Sequence, residues 1–303
     1  MQASEAAAPS AGPDWYLRAM ARPAESCWVM ADGARLHYLA WGLEHTHKPG
    51  LLFVHGYRAH ARYWDFIAPY FADAFRVVSM DLSGMGDSGH RAAYTAQGFA
   101  ADIGAVIEHA ALGPAVVVGH SFGGARALRA AADFPDRIRH VVAVDSICRL
   151  ADSPPSHAAP PRRPRLEPYP DFASARARYR LTPPQPCDNA FLVDHVARHA
   201  LRRQQGGWLW KFDPHLPPGP HEGDMSELLA GLEIPVDYVR GEFSSVIRQE
   251  DAERIVAHLR HGRGPVVVPQ AHHYLMLDQP MALIAVLRAL FQGGRTAGTT
   301  RPP

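Results

Sequence analysis

The chain has 303 residues, enough for one large domain or for one domain carrying an insertion. Hydrophobic residues make up 47% and charged residues 20%, the balance of a globular protein, and 31 basic against 30 acidic side chains leave a formal charge of +1. That excludes a large net field for gathering nucleic acid or an anionic membrane, and no run approaches the ~18 apolar residues that would span a bilayer, so the expected partner is a small molecule.

Residues 1–13 are rich in Ala, Ser and Pro with no basic start, which predicts a disordered leader and not a signal peptide. Two β-rich runs follow at 27–30 and 35–41, split by Ala31-Asp32-Gly33, and Asp-Gly between apolar runs is a hairpin signal. Residues 51–54 are then continuously apolar, as a strand buried on both faces requires, and similar runs recur at 76–80, 115–118, 138–144, 235–239 and 265–268. Helical spacing separates them, at 62–72, 96–112, 122–133, 250–261 and 281–291. This alternation predicts an α/β fold with an eight-stranded, mostly parallel sheet, helices on both faces, and ligands at the carboxyl ends of the strands.

The rhythm breaks over 146–229. That stretch holds a proline cluster at 153–170 containing Arg162, Arg163 and Arg165, one helix at 189–201, and the aromatic run Trp208-Leu209-Trp210-Lys211-Phe212. It interrupts the repeat, which predicts a mainly helical cap inserted between core segments 14–145 and 230–292, with 293–303 as a flexible tail. Cys27, Cys148 and Cys187 lack metal-like spacing and fit reduced thiols in a cytoplasmic protein.

The sharpest chemical signal is Gly119-His120-Ser121-Phe122-Gly123, followed by Gly124, between the strand 115–118 and the helix 122–133. The turn is so tight that side chains at 119 or 123 would collide. In return, the Ser121 hydroxyl stands at the start of a helix whose dipole favours developing negative charge. Glycines that flank a buried serine by chance would lack this strand, motif and helix setting.

With that motif the chain resembles the α/β-hydrolase superfamily, over about residues 28–292 apart from the cap. Three further pieces carry the resemblance. His55-Gly56 follows the strand 51–54 as the family's oxyanion loop does. Asp81-Leu82-Ser83-Gly84-Met85-Gly86-Asp87-Ser88 resembles its D-x-x-G-x-G-x-S turn, and Ala271-His272-His273 before Asp278-Gln279-Pro280 resembles its terminal histidine loop. The resemblance implies Ser121 as nucleophile, His273 as general base seven residues before Pro280, and the backbone N–H groups of Tyr57 and Phe122 as oxyanion donors. His272 is the rival base, one residue out of register, and His55 is expected to brace its loop.

The acid departs from the pattern. The family commonly places a carboxylate after the strand 235–239, but Arg240-Gly241-Glu242-Phe243-Ser244-Ser245-Val246 puts Ser244 or Ser245 in that slot. Serine cannot carry the charge that steadies an imidazolium. Some branches take the acid from the end of the preceding strand, where Asp145 stands. Asp145 is therefore the expected acid, with Glu242 as the alternative and Asp251 third.

Arg58, Trp64, Tyr179, Trp208 and Trp210, with Phe212, are expected to line a substrate pocket, although the cap aromatics equally suit a small core of the cap's own. Arg162, Arg163 and Arg165 read as a solvated strap, and His45, His47 and Lys48 complete no metal site. The implied chemistry is acyl transfer to water through an acyl-enzyme, with no metal and no organic cofactor. The substrate would be a carboxylic ester, lactone or thioester of a small, largely apolar molecule. The same triad supports C–C bond hydrolysis of a diketone-like substrate, and a hydrolase-fold ligand receptor with little turnover is the reading from another class. A serine at the elbow argues against the alkyl-enzyme chemistry of haloalkane dehalogenases and epoxide hydrolases, which use a carboxylate.

Overall fold

The computed structural model describes residues 12–152, 167–217 and 223–296. Helix α1 (Asp14–Met20) precedes the hairpin of β1 (Glu25–Ala31) and β2 (Ala34–Trp41), whose turn holds Asp32 and Gly33 at φ of 50° and 75°. Those positive values are what Asp-Gly supplies. Next come β3 (Gly50–Val54), β4 (Arg76–Met80), α2 (Ala96–His109), β5 (Ala115–His120), α3 (Phe122–Asp133) and β6 (Ile138–Val144). Beyond β6 lie α4 (Phe172–Arg176), α5 (Ala190–His199), a second hairpin of β7 (Leu201–Gln204) and β8 (Gly207–Trp210), and α6 (Ser226–Ala230). The chain then returns to the sheet through β9 (Val236–Gly241), α7 (Gln249–His258), β10 (Gly262–Val268), α8 (Leu275–Asp278) and α9 (Pro280–Thr296).

Eight strands form one sheet in the order β1-β2-β4-β3-β5-β6-β9-β10, antiparallel only between β1 and β2 and between β2 and β4. Strand β6 lies directly beside β9, so the intervening segment leaves the sheet and re-enters it between neighbours. Gly119 pairs with Ala143 and Val144 with Val239, which keeps the carboxyl ends of β5, β6 and β9 level. Strand β3 explains the continuous apolar runs: Leu52 and Val54 join the core on one face while Leu51 and Phe53 join the core on the other. Burying each such side chain stabilises the fold by roughly 1.5–3 kcal/mol.

Three expected features differ. Residues 62–72 form no single helix but two 3-10 turns, Ala61–Trp64 and Ala68–Tyr70, because Pro69 lacks the N–H that a helix interior needs. The run around Trp208 is a hairpin strand, so the described part of the insertion carries a two-stranded ribbon beside its helices α4, α5 and α6. Helix α9 continues to Thr296, beyond Gly293, where a tail was expected to start. Residues 1–11 and 297–303, and the cluster of Arg162, Arg163 and Arg165, lie outside the described residues. Among the described residues, no helix is long and apolar enough to cross a membrane.

Candidate active site

Ser121 joins β5 to α3 with φ 52° and ψ −118°. Such a conformation costs on the order of 1–3 kcal/mol and persists only where the surroundings enforce it. Here they do. A Cβ at Gly119 would lie 2.5 Å from the Gly123 carbonyl oxygen, one at Gly123 would lie 2.4 Å from that of His55, and one at Gly124 would lie 1.8 Å from Ser146 Oγ. The Ser121 N–H donates to the Val144 carbonyl at 2.8 Å, which ties the elbow to β6. Ser121 itself is half-buried at the first turn of α3.

At the end of β6, Asp145 is also left-handed, with φ 49°, and is completely buried. Its Oδ2 accepts from His273 Nδ1 at 2.6 Å and from the Ser244 hydroxyl at 2.6 Å, while Oδ1 accepts from the Gly241 N–H at 3.1 Å. Ser244, in the slot where a carboxylate is commonest, thus hydrogen-bonds to the carboxylate that β6 supplies. The Ser244 oxygen also accepts from the N–H groups of Val246 and Ile247. Glu242 is exposed and accepts from the Gln270 N–H at 2.8 Å, and Asp251 pairs with Arg248. His272 is committed to Asp278 Oδ2, through its N–H at 2.7 Å and its Nδ1 at 3.1 Å. With Nδ1 of His273 on Asp145, Nε2 is the nitrogen left to act as a base. Among the described residues, no hydrogen bond joins the Ser121 hydroxyl to His273; contacts of this kind are often long without substrate.

Two buried histidines set the loops around this cluster. His120 Nε2 donates to the His273 carbonyl at 2.8 Å, and the two rings lie 4.6 Å apart. Burial, reinforced by the neighbouring His273, holds His120 well below the ordinary imidazole range, so it stays a neutral donor. His55 donates from Nδ1 to the Gly56 carbonyl at 2.7 Å and accepts at Nε2 from the Leu82 N–H at 3.1 Å, and burial lowers its pKa as well. This bracing presents Tyr57 to Phe122, with ring centroids 5.6 Å apart, and so brings together the two residues expected to supply oxyanion donors. The turn after β4 is held by Asp81, which accepts from His37 Nδ1 at 2.7 Å and from the N–H groups of Ala61 at 2.6 Å and Asp87 at 3.0 Å. Gly86 belongs to that knot because a Cβ there would lie 2.0 Å from Asp81 Oδ1.

Residues 51–286 match the alpha/beta hydrolase family. The chain belongs to that family. This alpha/beta hydrolase is 28% identical to the esterase Rv0045c of Mycobacterium tuberculosis across 83% of its own length and 85% of that protein's. It is 27% identical to the 2-(acetamidomethylene)succinate hydrolase of Mesorhizobium japonicum across 75% and 82% of the two chains. Among solved structures, the thioesterase domain from the curacin biosynthetic pathway matches it with a TM-score of 0.69 at 25% identity, covering 88% of the hydrolase and 99% of that domain.

The expected pocket residues of the hydrolase divide. Trp64 is completely buried, 4.8 Å from Phe53, and is core and not pocket wall, because the turn Ala61–Trp64 folds it under the sheet. Trp208 packs on Phe172 at 4.9 Å and Trp210 on Tyr169 at 6.0 Å, a small core within the insertion. Tyr179 reaches further, lying 6.2 Å from Trp210 and sharing a hydrogen bond with Tyr63, whose ring is 6.1 Å from Tyr274 beside His273. The Arg58 guanidinium lies 5.1 Å above the Tyr57 ring and 4.9 Å above Phe212, so it bridges the loop after β3 and the insertion.

A strap unmarked by any sequence motif connects the insertion to the histidine loop. Gln185 Oε1 accepts from the Tyr274 N–H at 2.9 Å, and its Nε2 donates to both Asp278 oxygens at 2.9 Å. Asn189 Nδ2 adds donations to the Leu277 and Asp278 carbonyls at 2.8 Å and 3.0 Å. His120, Ser244 and Gln185 are the residues that sequence reasoning missed. His120 carried a signal as an ionisable ring next to Ser121, and Ser244 as the serine in the usual carboxylate slot, whereas Gln185 carried none.

Proposed function

We propose that this hydrolase cleaves a carboxylic ester, lactone or thioester of a small, largely apolar molecule, through an acyl-enzyme on Ser121. The observation that carries the reading is the buried Asp145–His273 contact at 2.6 Å, on a loop that His120 ties to the serine elbow. The names of the esterase relative and of the thioesterase neighbour support acyl transfer. The odd, sparse set of cysteines, Cys27, Cys148 and Cys187, supports a reducing, cytoplasmic setting.

In this reading Ser121 Oγ attacks the carbonyl carbon as His273 Nε2 takes its proton. Asp145 keeps Nδ1 protonated and steadies the imidazolium. The N–H groups of Tyr57 and Phe122 receive the oxyanion, donors of this kind being worth about 3–4 kcal/mol each. His273 then returns the proton to the leaving group, and a water deprotonated by the same imidazole releases the acid. The elements between β6 and α6 act as a cap that shields the acyl group, with Tyr179 hydrogen-bonded to Tyr63 and Phe212 lying under Arg58 of the loop after β3.

A series of p-nitrophenyl esters of rising acyl length tests the proposal, with Ser121→Ala as control and peptide mapping of fluorophosphonate labelling. Turnover with labelling confined to Ser121 is the expected outcome. Absent turnover and absent labelling would point to a receptor, and turnover surviving in Ser121→Ala would reject the nucleophile.

A further inference from the structure

A second polar cluster lies where α5 of the insertion packs against the turns that follow the oxyanion loop. His195 and His199 stand one helical turn apart on α5, and Asp65 directly follows the turn Ala61–Trp64. One ligand atom from each of these three lies within 4.8 Å of the others. His195 Nε2 is 3.1 Å from Asp65 Oδ2 and its Nδ1 is 3.3 Å from the Tyr16 hydroxyl, while Arg62 donates to the same Oδ2 at 3.1 Å. The other carboxylate oxygen, Asp65 Oδ1, is buried with no hydrogen-bond partner among the described residues. The same is true of Nδ1 on the buried His60, whose Nε2 donates to the Val196 carbonyl at 2.9 Å, on the turn between the two α5 histidines.

Buried polar atoms are nearly always partnered, so an orphan carboxylate oxygen beside imidazoles calls for an electrophile. Two imidazoles at i and i+4 with one carboxylate are a donor set suited to a borderline divalent ion, with a fourth position left for water. We propose that Asp65, His195 and His199 bind a divalent transition-metal ion of the zinc class. Asp65 Oδ1 and one nitrogen from each imidazole draw in to about 2.0–2.2 Å around it. His195 exchanges its hydrogen bond to Asp65 for the metal, and Arg62 remains on Oδ2. His199, partly exposed at the end of α5, is the side of entry. Bound there, the ion staples the inserted helix to the core, independently of the chemistry at Ser121.

The test uses the full chain, stripped with EDTA and titrated with zinc chloride by calorimetry, with cobalt(II) as a spectroscopic probe. One zinc per chain at micromolar affinity or tighter, a raised Tm, and visible d–d bands of a four-coordinate cobalt site are expected. His199→Ala should weaken binding by more than about tenfold while its metal-free Tm stays near that of the unaltered chain. Asp65→Asn should do likewise, and should it fail to fold, His199→Ala alone decides. No stoichiometric binding, or binding unchanged in His199→Ala, overturns the proposal.

Discussion

Asparagine at position 145 probes the acid with unusual sharpness, because the surroundings dictate which way the amide must sit. The Gly241 N–H is a fixed donor 3.1 Å from Oδ1, so the amide oxygen has to face it and the NH2 has to face His273 and Ser244. The Ser244 hydroxyl can rotate to accept. The His273 ring can accept only by shifting its proton from Nδ1 to Nε2, and a protonated Nε2 cannot take the serine proton. The expected loss in kcat is on the order of 10³–10⁴, or about 4–5.5 kcal/mol at about 1.4 kcal/mol per decade. Steady-state and burst kinetics on p-nitrophenyl acetate read it directly. A loss smaller than about tenfold, or the large loss falling on Glu242→Gln instead, refutes the assignment.

His273→Ala should abolish the acylation burst, whereas His272→Ala, which gives up its contacts with Asp278 and the Phe243 ring, should keep most of it; stopped-flow traces showing the reverse would exchange the two. Gly119→Ala drives a methyl to 2.5 Å from the Gly123 backbone, and urea unfolding should register more than about 2 kcal/mol of destabilisation. An unchanged midpoint would mean the elbow has slack. Trp64→Ala should cost about 3–5 kcal/mol of stability with KM little altered, and a raised KM at full stability would return Trp64 to the pocket. Burial lowers His60 from 6.5 to about 3, so the folded state binds fewer protons than the unfolded chain in that window. Its contribution to stability is complete above about pH 6.5 and falls toward pH 3 by about 1.4 kcal/mol per unit. His60→Gln should flatten the pH dependence of urea unfolding over that range, and an unaltered slope rejects the attribution.

Strands buried on both faces announce themselves as unbroken apolar runs, so 76–80 and 138–144 coincide with β4 and β6. The elbow was legible for a steric reason, since only glycine fits at 119, 123 and 124. Asp145 was reachable through a mismatch, a serine where a carboxylate is usual together with an aspartate at the neighbouring strand end. Other features left weaker traces. Tyr63, Phe66, Ile67 and Phe71 imitate a helical stripe, and only Pro69 warns against it. Nothing local tells an aromatic bound for the core, such as Trp64, from one bound for a pocket. The β7–β8 hairpin did carry a signal in Gly206-Gly207, at φ of 89° and 141°. The Gln185 contact spans 89 positions and depends on packing alone.

That glutamine gives the molecule's roof and the His273 loop a common suspension. Any swing of residues 182–189 is felt at Tyr274, one position from His273, with nothing slack between them. Lifting that end would detune the imidazole before it admitted a guest. Under the proposed reading, substrate and product pass instead at the opposite eave, where Arg58 lies over the rings of Tyr57 and Phe212.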